Sequence, residues 1–132
     1  MTIVFDCNIY ISLAINQQID LIPRVHQKGI TIASCDQLLI ELLDVFNRPK
    51  LSRYLSTLTI NDILQLIRIT TTWVQLTDIP EVVSDKKDNY LFALCKKSKA
   101  NYFITGDKLL LAEEKYEQTN IISLADFRLL IA

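Results

Sequence analysis

The sequence is poor in the residue types that most often bind transition metals. Its 132 residues include one histidine and three cysteines. The histidine, His26, falls inside a predicted helix and away from every motif described below. The cysteines, Cys7, Cys35 and Cys95, are widely separated, odd in number and form no C-x-x-C pair. We therefore expect reduced thiols in a cytoplasmic protein rather than a disulfide framework.

Long apolar runs and an excess of one charge are missing as well. No uninterrupted apolar stretch approaches the roughly 18 residues that a membrane span requires. The amino terminus has an acid at position 6 and no basic region before an apolar run, so no signal peptide is expected. The net charge is −1 at pH 7, so any nucleic-acid binding must come from a local basic patch or a bound cation.

What the chain does contain is an alternation of short apolar runs and helical periodicity. With half of its residues apolar, it is expected to form a single domain over residues 1–132 with a substantial core. The predicted strands are Ile3–Phe5, Ile30–Ser34, Trp73–Leu76, Tyr102–Thr105 and Asn120–Ile122. The predicted helices are Ile9–Ile15, Asp20–Gln27, Asp36–Phe46, Lys50–Ser56, one that starts at Thr59, Asp85–Ser98, Lys108–Ala112 and one capped by Ser123. This order predicts a three-layer α/β domain whose central parallel sheet has about five strands.

The first strand places an acid at a position typical of ligand binding. Ile3–Phe5 is apolar throughout, as in strands that are buried on both faces, and Asp6 follows it directly. An acid at the carboxyl end of such a strand, where a helix begins, lies at the ligand-binding edge of an open α/β sheet. The alternative is that Asp6 only caps the helix.

Three further acids are predicted to lie at the same edge. Glu41 is a turn and a half into the helix after strand two, Asp88 is in the first turn of the helix before strand four, and Asp107 follows strand four. Each could be a cap or a solvated helix residue, but Ser, Thr or Asn would cap equally well without gathering negative charge. Neighbouring carboxylates either raise one another's pKa or hold a cation. An all-oxygen ligand set favours Mg²⁺ or Mn²⁺ over zinc.

Several segments, taken in order, resemble the PIN-domain nucleases, and among them the bacterial PIN-family toxins of toxin–antitoxin pairs. The segments are the Ile3–Asn8 start, the glutamate in 36–46, Leu43–Tyr54 with its Asn47-Arg48-Pro49-Lys50 centre, Asp85–Asn89 and Asn101–Asp107. The resemblance covers nearly the whole chain.

The resemblance implies a PIN-like fold and a metal-dependent endoribonuclease that hydrolyses RNA phosphodiesters. Asp6, Glu41, Asp88 and Asp107 would be the catalytic, Mg²⁺- or Mn²⁺-binding residues, with Asn8, Thr105 and Asn89 in support. The basic residues that could contact RNA phosphates, or be only solvated surface charges, are Arg48, Lys50, Arg53, Lys86 and Lys87. A toxin also implies a cognate antitoxin. The amphipathic helices between Leu38 and Ile67 are the expected docking surface, and a homodimer would compete for it.

Two positions leave alternatives open. Cys7 stands where the family usually has Thr or Ser, which removes a hydroxyl near the metal and keeps open a catalytically inactive PIN-fold module that binds RNA or protein. Asp85 competes with Asp88 as the third acid, but Asn89 and the apolar residues after it favour Asp88. Two other classes of protein with an acid after strand one fit the sequence less well. A dehalogenase-like phosphatase would need a second acid where Asn8 stands, and a receiver domain would need a lysine after the last strand, where Ile121–Ser123 has none.

Overall fold

The computed structural model describes residues 1–77, 79 and 88–132. In these residues the strands are β1 Thr2–Phe5, β2 Thr31–Ser34, β3 Thr72–Trp73, β4 Tyr102–Ile104, β5 Lys115–Tyr116 and β6 Thr119–Ile122. The helices are α1 Cys7–Ile15, α2 Leu21–Gln27, α3 Asp36–Phe46, α4 Pro49–Ser52, α5 Thr57–Thr70, α6 Asn89–Ser98, α7 Lys108–Ala112 and α8 Leu124–Ile131.

The strands form one mostly parallel sheet in the order β3-β2-β1-β4-β6-β5. The α/β fold with a central parallel sheet is confirmed, and β1 lies inside the sheet between β2 and β4. The sheet has six strands rather than about five, because the two-residue β5 pairs antiparallel with β6 at one edge. The chain builds outward from β1 to β2 and β3 and then returns to the other side of β1 at β4. The crevice beside the carboxyl ends of β1 and β4 is therefore a topological switch point, where ligands of open α/β sheets bind.

One layer of helices packs on the face of the sheet to which Phe5 points. The Phe5 ring contacts Tyr10 of α1 and Phe127 of α8, with centroids 5.6 and 5.7 Å apart. Helix α3 packs against α1, so it belongs to the same layer. This layer therefore carries Glu41.

Helix α6 packs on the opposite face. Phe103 pairs with Val4, the residue before Phe5, and side chains alternate along a strand, so Phe103 and Phe5 point to opposite faces. The Phe103 ring contacts Phe92 of α6, with centroids 6.0 Å apart. The sheet thus lies between two helical layers, and Ile3, Val4 and Phe5 at its centre are all 0% exposed.

Several element boundaries differ from the sequence predictions. The third strand covers Thr72–Trp73 rather than Trp73–Leu76, and helix α4 ends at Ser52 rather than Ser56. Helix α5 begins at Thr57, two residues before the predicted start, because Ser56 caps it by accepting a hydrogen bond from the Thr59 N–H. The predicted cap Asp85 lies outside the described residues.

The single tryptophan does not lie in the core. Trp73 is 41% exposed, and its indole N–H donates a 2.7 Å hydrogen bond to Asp36 Oδ1 at the start of α3. This contact joins β3 to the first turn of α3.

The cysteines and the helices agree with two expectations from composition. Cys7, Cys35 and Cys95 are all buried and free. Within the described part of the chain, no helix is long and apolar enough to cross a membrane.

Candidate active site

Asp6 is fixed where β1 meets β4. Its backbone N–H donates to the Ile104 carbonyl, 2.9 Å away, which extends the ladder between these strands by one residue. The Thr105 hydroxyl donates a 2.7 Å hydrogen bond to Asp6 Oδ2. Thr105 Oγ1 in turn accepts from the Asp107 N–H at 3.1 Å. One buried hydroxyl therefore connects the acid after β1 with the acid after β4.

The Asp6 carboxylate lies in an environment that opposes its charge. It is 2% exposed, and burial is the main reason that its pKa is raised above the ordinary aspartate value. The hydrogen bonds from Thr105 and the Cys7 backbone lower this pKa, while the charges of Glu41 and Asp107 raise it further. Asp6 makes no side-chain capping bond to α1, so the helix-cap explanation does not account for it. The charges of two other predicted acids thus act on the Asp6 carboxylate.

Glu41 reaches this edge from α3 and is held there by a neutral donor. The Tyr90 hydroxyl donates a 2.8 Å hydrogen bond to Glu41 Oε2. Burial, and then the nearby charge of Glu41, raises the pKa of the Cys7 thiol. The family hydroxyl missing at position 7 is thus replaced by a buried thiol beside one of the acids.

Tyr90 is a site residue that sequence reasoning missed. It lies in the apolar stretch that begins α6 and is 7% exposed, which is typical of a core aromatic. Its partner is 49 residues away in the sequence. The one available signal was its hydroxyl, two residues after Asp88 on a buried helix face.

Asp107 has two roles in this arrangement. Its Oδ1 accepts a 2.8 Å hydrogen bond from the Leu109 N–H and so caps α7. Its charge also acts on Asp6. Asp107 therefore caps a helix, and its role in a functional site stays a prediction.

Three more of the predicted site residues lie at the starts of α6 and α1. Asp88 is half-buried at the N-cap of α6, without a side-chain capping bond, and Asn89 is 3% exposed. Asn8 is exposed in the first turn of α1. Among residues 1–77, 79 and 88–132, no three His, Cys, Asp or Glu side chains lie close enough together to hold a metal ion. Glu41 and Asp107 thus raise the pKa of Asp6 without forming such a group with it.

Among the described basic candidates, Arg48 has a charge that acts on a residue of the site. Its charge lowers the pKa of Cys7, which places it beside the site, and its guanidinium pairs with Asp44 at 3.1 Å on the exposed surface of α3. Lys50 and Arg53 are exposed on and just after α4. Lys86 and Lys87 lie outside the described residues.

The switch-point crevice and its acids define a class of α/β protein that binds its ligand at the carboxyl edge of a parallel sheet. Residues 2–109 match the PIN domain, and the chain belongs to this family. PIN domains are commonly nucleases, so membership indicates a nuclease-like function and nucleic acid as the ligand. No curated protein matches the chain.

Proposed function

We propose that this protein is a cytoplasmic, divalent-metal-dependent endoribonuclease whose Mg²⁺ or Mn²⁺ site comprises Asp6, Glu41, Asp88 and Asp107. The observation that carries the proposal is the Asp6 carboxylate, which is buried, fixed by Thr105 and opposed by the charges of Glu41 and Asp107. A carboxylate kept in so unfavourable a place suits a role in holding a cation.

The residues present fit such an ion. PIN-domain nucleases generally use divalent metals, and the donors here are carboxylate oxygens, which Mg²⁺ and Mn²⁺ prefer. A bound cation would offset the repulsion that raises the pKa of Asp6. Since no three of the described acids are at ligand distance, binding would require side-chain rotations. When bound, the ion would activate water and neutralise charge on the phosphate.

The protein's own groups would position the acids and the substrate. Thr105 holds Asp6 through one oxygen, which leaves the other available as a ligand. Arg48, beside Cys7, is the described basic residue best placed to contact a phosphate next to the cleaved bond, with Lys50 and Arg53 further along the RNA. Lys86 and Lys87 remain part of the proposal from sequence alone.

The test is cleavage of a labelled single-stranded RNA with Mn²⁺. Asp107→Asn keeps an oxygen that can accept from Leu109 and so preserve the α7 cap. It should lower the cleavage rate at least about 100-fold, since a metal contributes several kcal/mol of charge stabilisation and each 1.36 kcal/mol is tenfold. Asp126→Asn, an exposed acid in α8, should cleave normally. Cleavage that survives both EDTA and Asp107→Asn would contradict the proposal.

We further propose that the nuclease acts as a toxin with a cognate antitoxin. Ile40, 65% exposed, and Leu43, 36% exposed, leave apolar area on α3, the helix that carries Glu41, and Tyr54, 65% exposed, adds to it just after α4. A partner helix could pack its apolar side there, and a second copy of this chain could occupy the same surface. Induction in bacteria should arrest growth, and co-expression of the adjacent small open reading frame should restore it. Harmless induction with no co-purifying neighbour would contradict the toxin role and leave the nuclease proposal intact.

A non-catalytic PIN-fold binding module is the second candidate, favoured by a buried cysteine at position 7, where the family usually has a hydroxyl residue. It predicts RNA or protein binding without cleavage by the natural chain. It also predicts that Cys7→Thr, which restores the family hydroxyl, creates metal-dependent cleavage. If the natural chain cleaves RNA and Cys7→Thr changes the rate little, this candidate is excluded.

A further inference from the structure

The Tyr90–Glu41 hydrogen bond joins the two helical layers of the protein at the candidate site. Glu41 belongs to α3, in the layer that packs on the Phe5 side of the sheet, while Tyr90 is the second residue of α6 on the other side. The two side chains meet past the carboxyl edge of the strands at a 2.8 Å separation. Tyr90 is 7% exposed, so water competes little for its hydroxyl.

We propose that Tyr90 is a positioning residue for Glu41 in metal binding. The inference rests on the proposed metal site and adds a residue that touches neither metal nor substrate. The Tyr90 hydroxyl binds Glu41 Oε2 and so fixes the rotamer of this long, half-buried side chain. The other carboxylate oxygen, Oε1, is then left to face the cation. Partners of this kind fix the orientation of a ligand before the ion arrives, and their loss typically weakens metal affinity about 10–100-fold.

The Tyr90 bond also links the helices that carry two of the acids. Asp88 is the N-cap of α6, two residues before Tyr90, so a bond from Tyr90 to α3 holds the Asp88 turn against the helix that carries Glu41. The buried Cys7 thiol, at the start of α1, lies near the same carboxylate.

A matched control exists within the chain. Tyr10 is also buried, at 0% exposure, and its ring packs against Phe5. Its hydroxyl has no hydrogen-bond partner among the described residues. Tyr90→Phe and Tyr10→Phe therefore make the same chemical change in similar burial, and only the first removes a bond to a candidate ligand.

The experiment is calorimetric titration of the full chain with Mn²⁺, together with thermal unfolding of each protein in EDTA. Tyr90→Phe is expected to weaken Mn²⁺ binding about tenfold or more, and Tyr10→Phe to bind like the natural chain. The effect should disappear in a Glu41→Gln background, because the hydroxyl acts only through that carboxylate. A change in fold stability alone would not produce this dependence on Glu41.

Four outcomes would overturn the proposal. Unchanged Mn²⁺ affinity in Tyr90→Phe would remove Tyr90 from the site and leave the metal site standing. An equal loss in Tyr90→Phe and Tyr10→Phe, or an undiminished loss in the Glu41→Gln background, would show a general effect on packing. Absence of Mn²⁺ binding by the natural chain would contradict the metal site itself and this inference with it.

Discussion

The buried Asp6 carboxylate lowers the stability of the metal-free fold. The strand before it is wholly buried, so the carboxylate that follows is held at 2% exposure beside two other acids. Thr105 offsets part of this cost through one hydrogen bond. A neutral residue of the same shape would suit the metal-free protein better, which is typical of a position retained for function rather than stability.

This cost depends on pH, and the direction follows from the raised pKa of Asp6. Its pKa in the folded state exceeds the ordinary value of 3.8, so between the two values the folded state binds more protons than the unfolded state. The Asp6 contribution to the free energy of unfolding therefore falls as pH rises through this window. Asp6→Asn removes the buried charge, so the stability that it gains over the natural chain should be greater at the higher pH. In EDTA, the melting temperature of Asp6→Asn minus that of the natural chain should be larger at about pH 7.5 than at about pH 4.

Thermal unfolding at these two pH values provides the measurement, with Asp126→Asn as the exposed control. Comparing differences removes any pH-independent effect of the new amide. If this difference in melting temperature stays constant or shrinks on going to pH 7.5, the pKa of Asp6 is not raised in the folded protein.

The N-cap of helix α5 shows how a local sequence signal can identify a helix but misplace its first residue. The sequence favoured Thr59 as the start, whereas Ser56 accepts from the Thr59 N–H at 3.1 Å, and the two hydroxyls lie 2.8 Å apart. Ser56→Ala should therefore lower the free energy of unfolding by about 1 kcal/mol. Thr59→Ala removes the exposed hydroxyl that contacts Ser56 but keeps the bond from the Thr59 N–H to Ser56 Oγ, so it should have a smaller effect. Urea denaturation of both variants decides between the two starts, and a larger loss for Thr59→Ala would place the cap where the sequence suggested.

Elements with strong periodicity could be predicted, whereas those made only by distant contacts could not. Helix α3 matches its predicted range because its apolar residues recur at helical spacing. Strand β5 was missed because it exists only through pairing with β6. The non-glycine residues Glu114 and Glu117 on either side of it have positive φ values of 60° and 51°, so no glycine marks the turn.

The same distinction holds for the site. Asp6, Glu41 and Asp107 could be predicted to lie near one another, since the carboxyl ends of parallel strands share an edge. Tyr90 could not, because its role depends on how two layers meet around that edge.

At the scale of the whole molecule, part of the core comes from beyond the residues that match the family. The match ends at residue 109, yet β6 pairs with β4 and α8 contributes Phe127, which is 0% exposed and packs edge-on against Phe5. We propose that residues 1–132 fold as one domain. Phe127→Ala should then lower the free energy of unfolding by about 3–5 kcal/mol.

The matched control lies on the same helix. Leu129 is 77% exposed, so Leu129→Ala should change the free energy of unfolding by no more than about 0.5 kcal/mol. Urea denaturation should show one transition for both variants. A separate transition that Phe127→Ala alone shifts would indicate that the carboxyl-terminal segment folds independently.

The contact between Trp73 and Asp36 gives this protein a built-in optical reporter. Trp73 is the only indole in the chain, so fluorescence excited at its absorption edge comes from a single, half-exposed ring. The ring is hydrogen-bonded to the first turn of the helix that carries Glu41. Any shift of that helix against β3 changes the polarity around the indole and therefore its emission wavelength. Movements at this edge of the sheet can thus be followed in solution without a label.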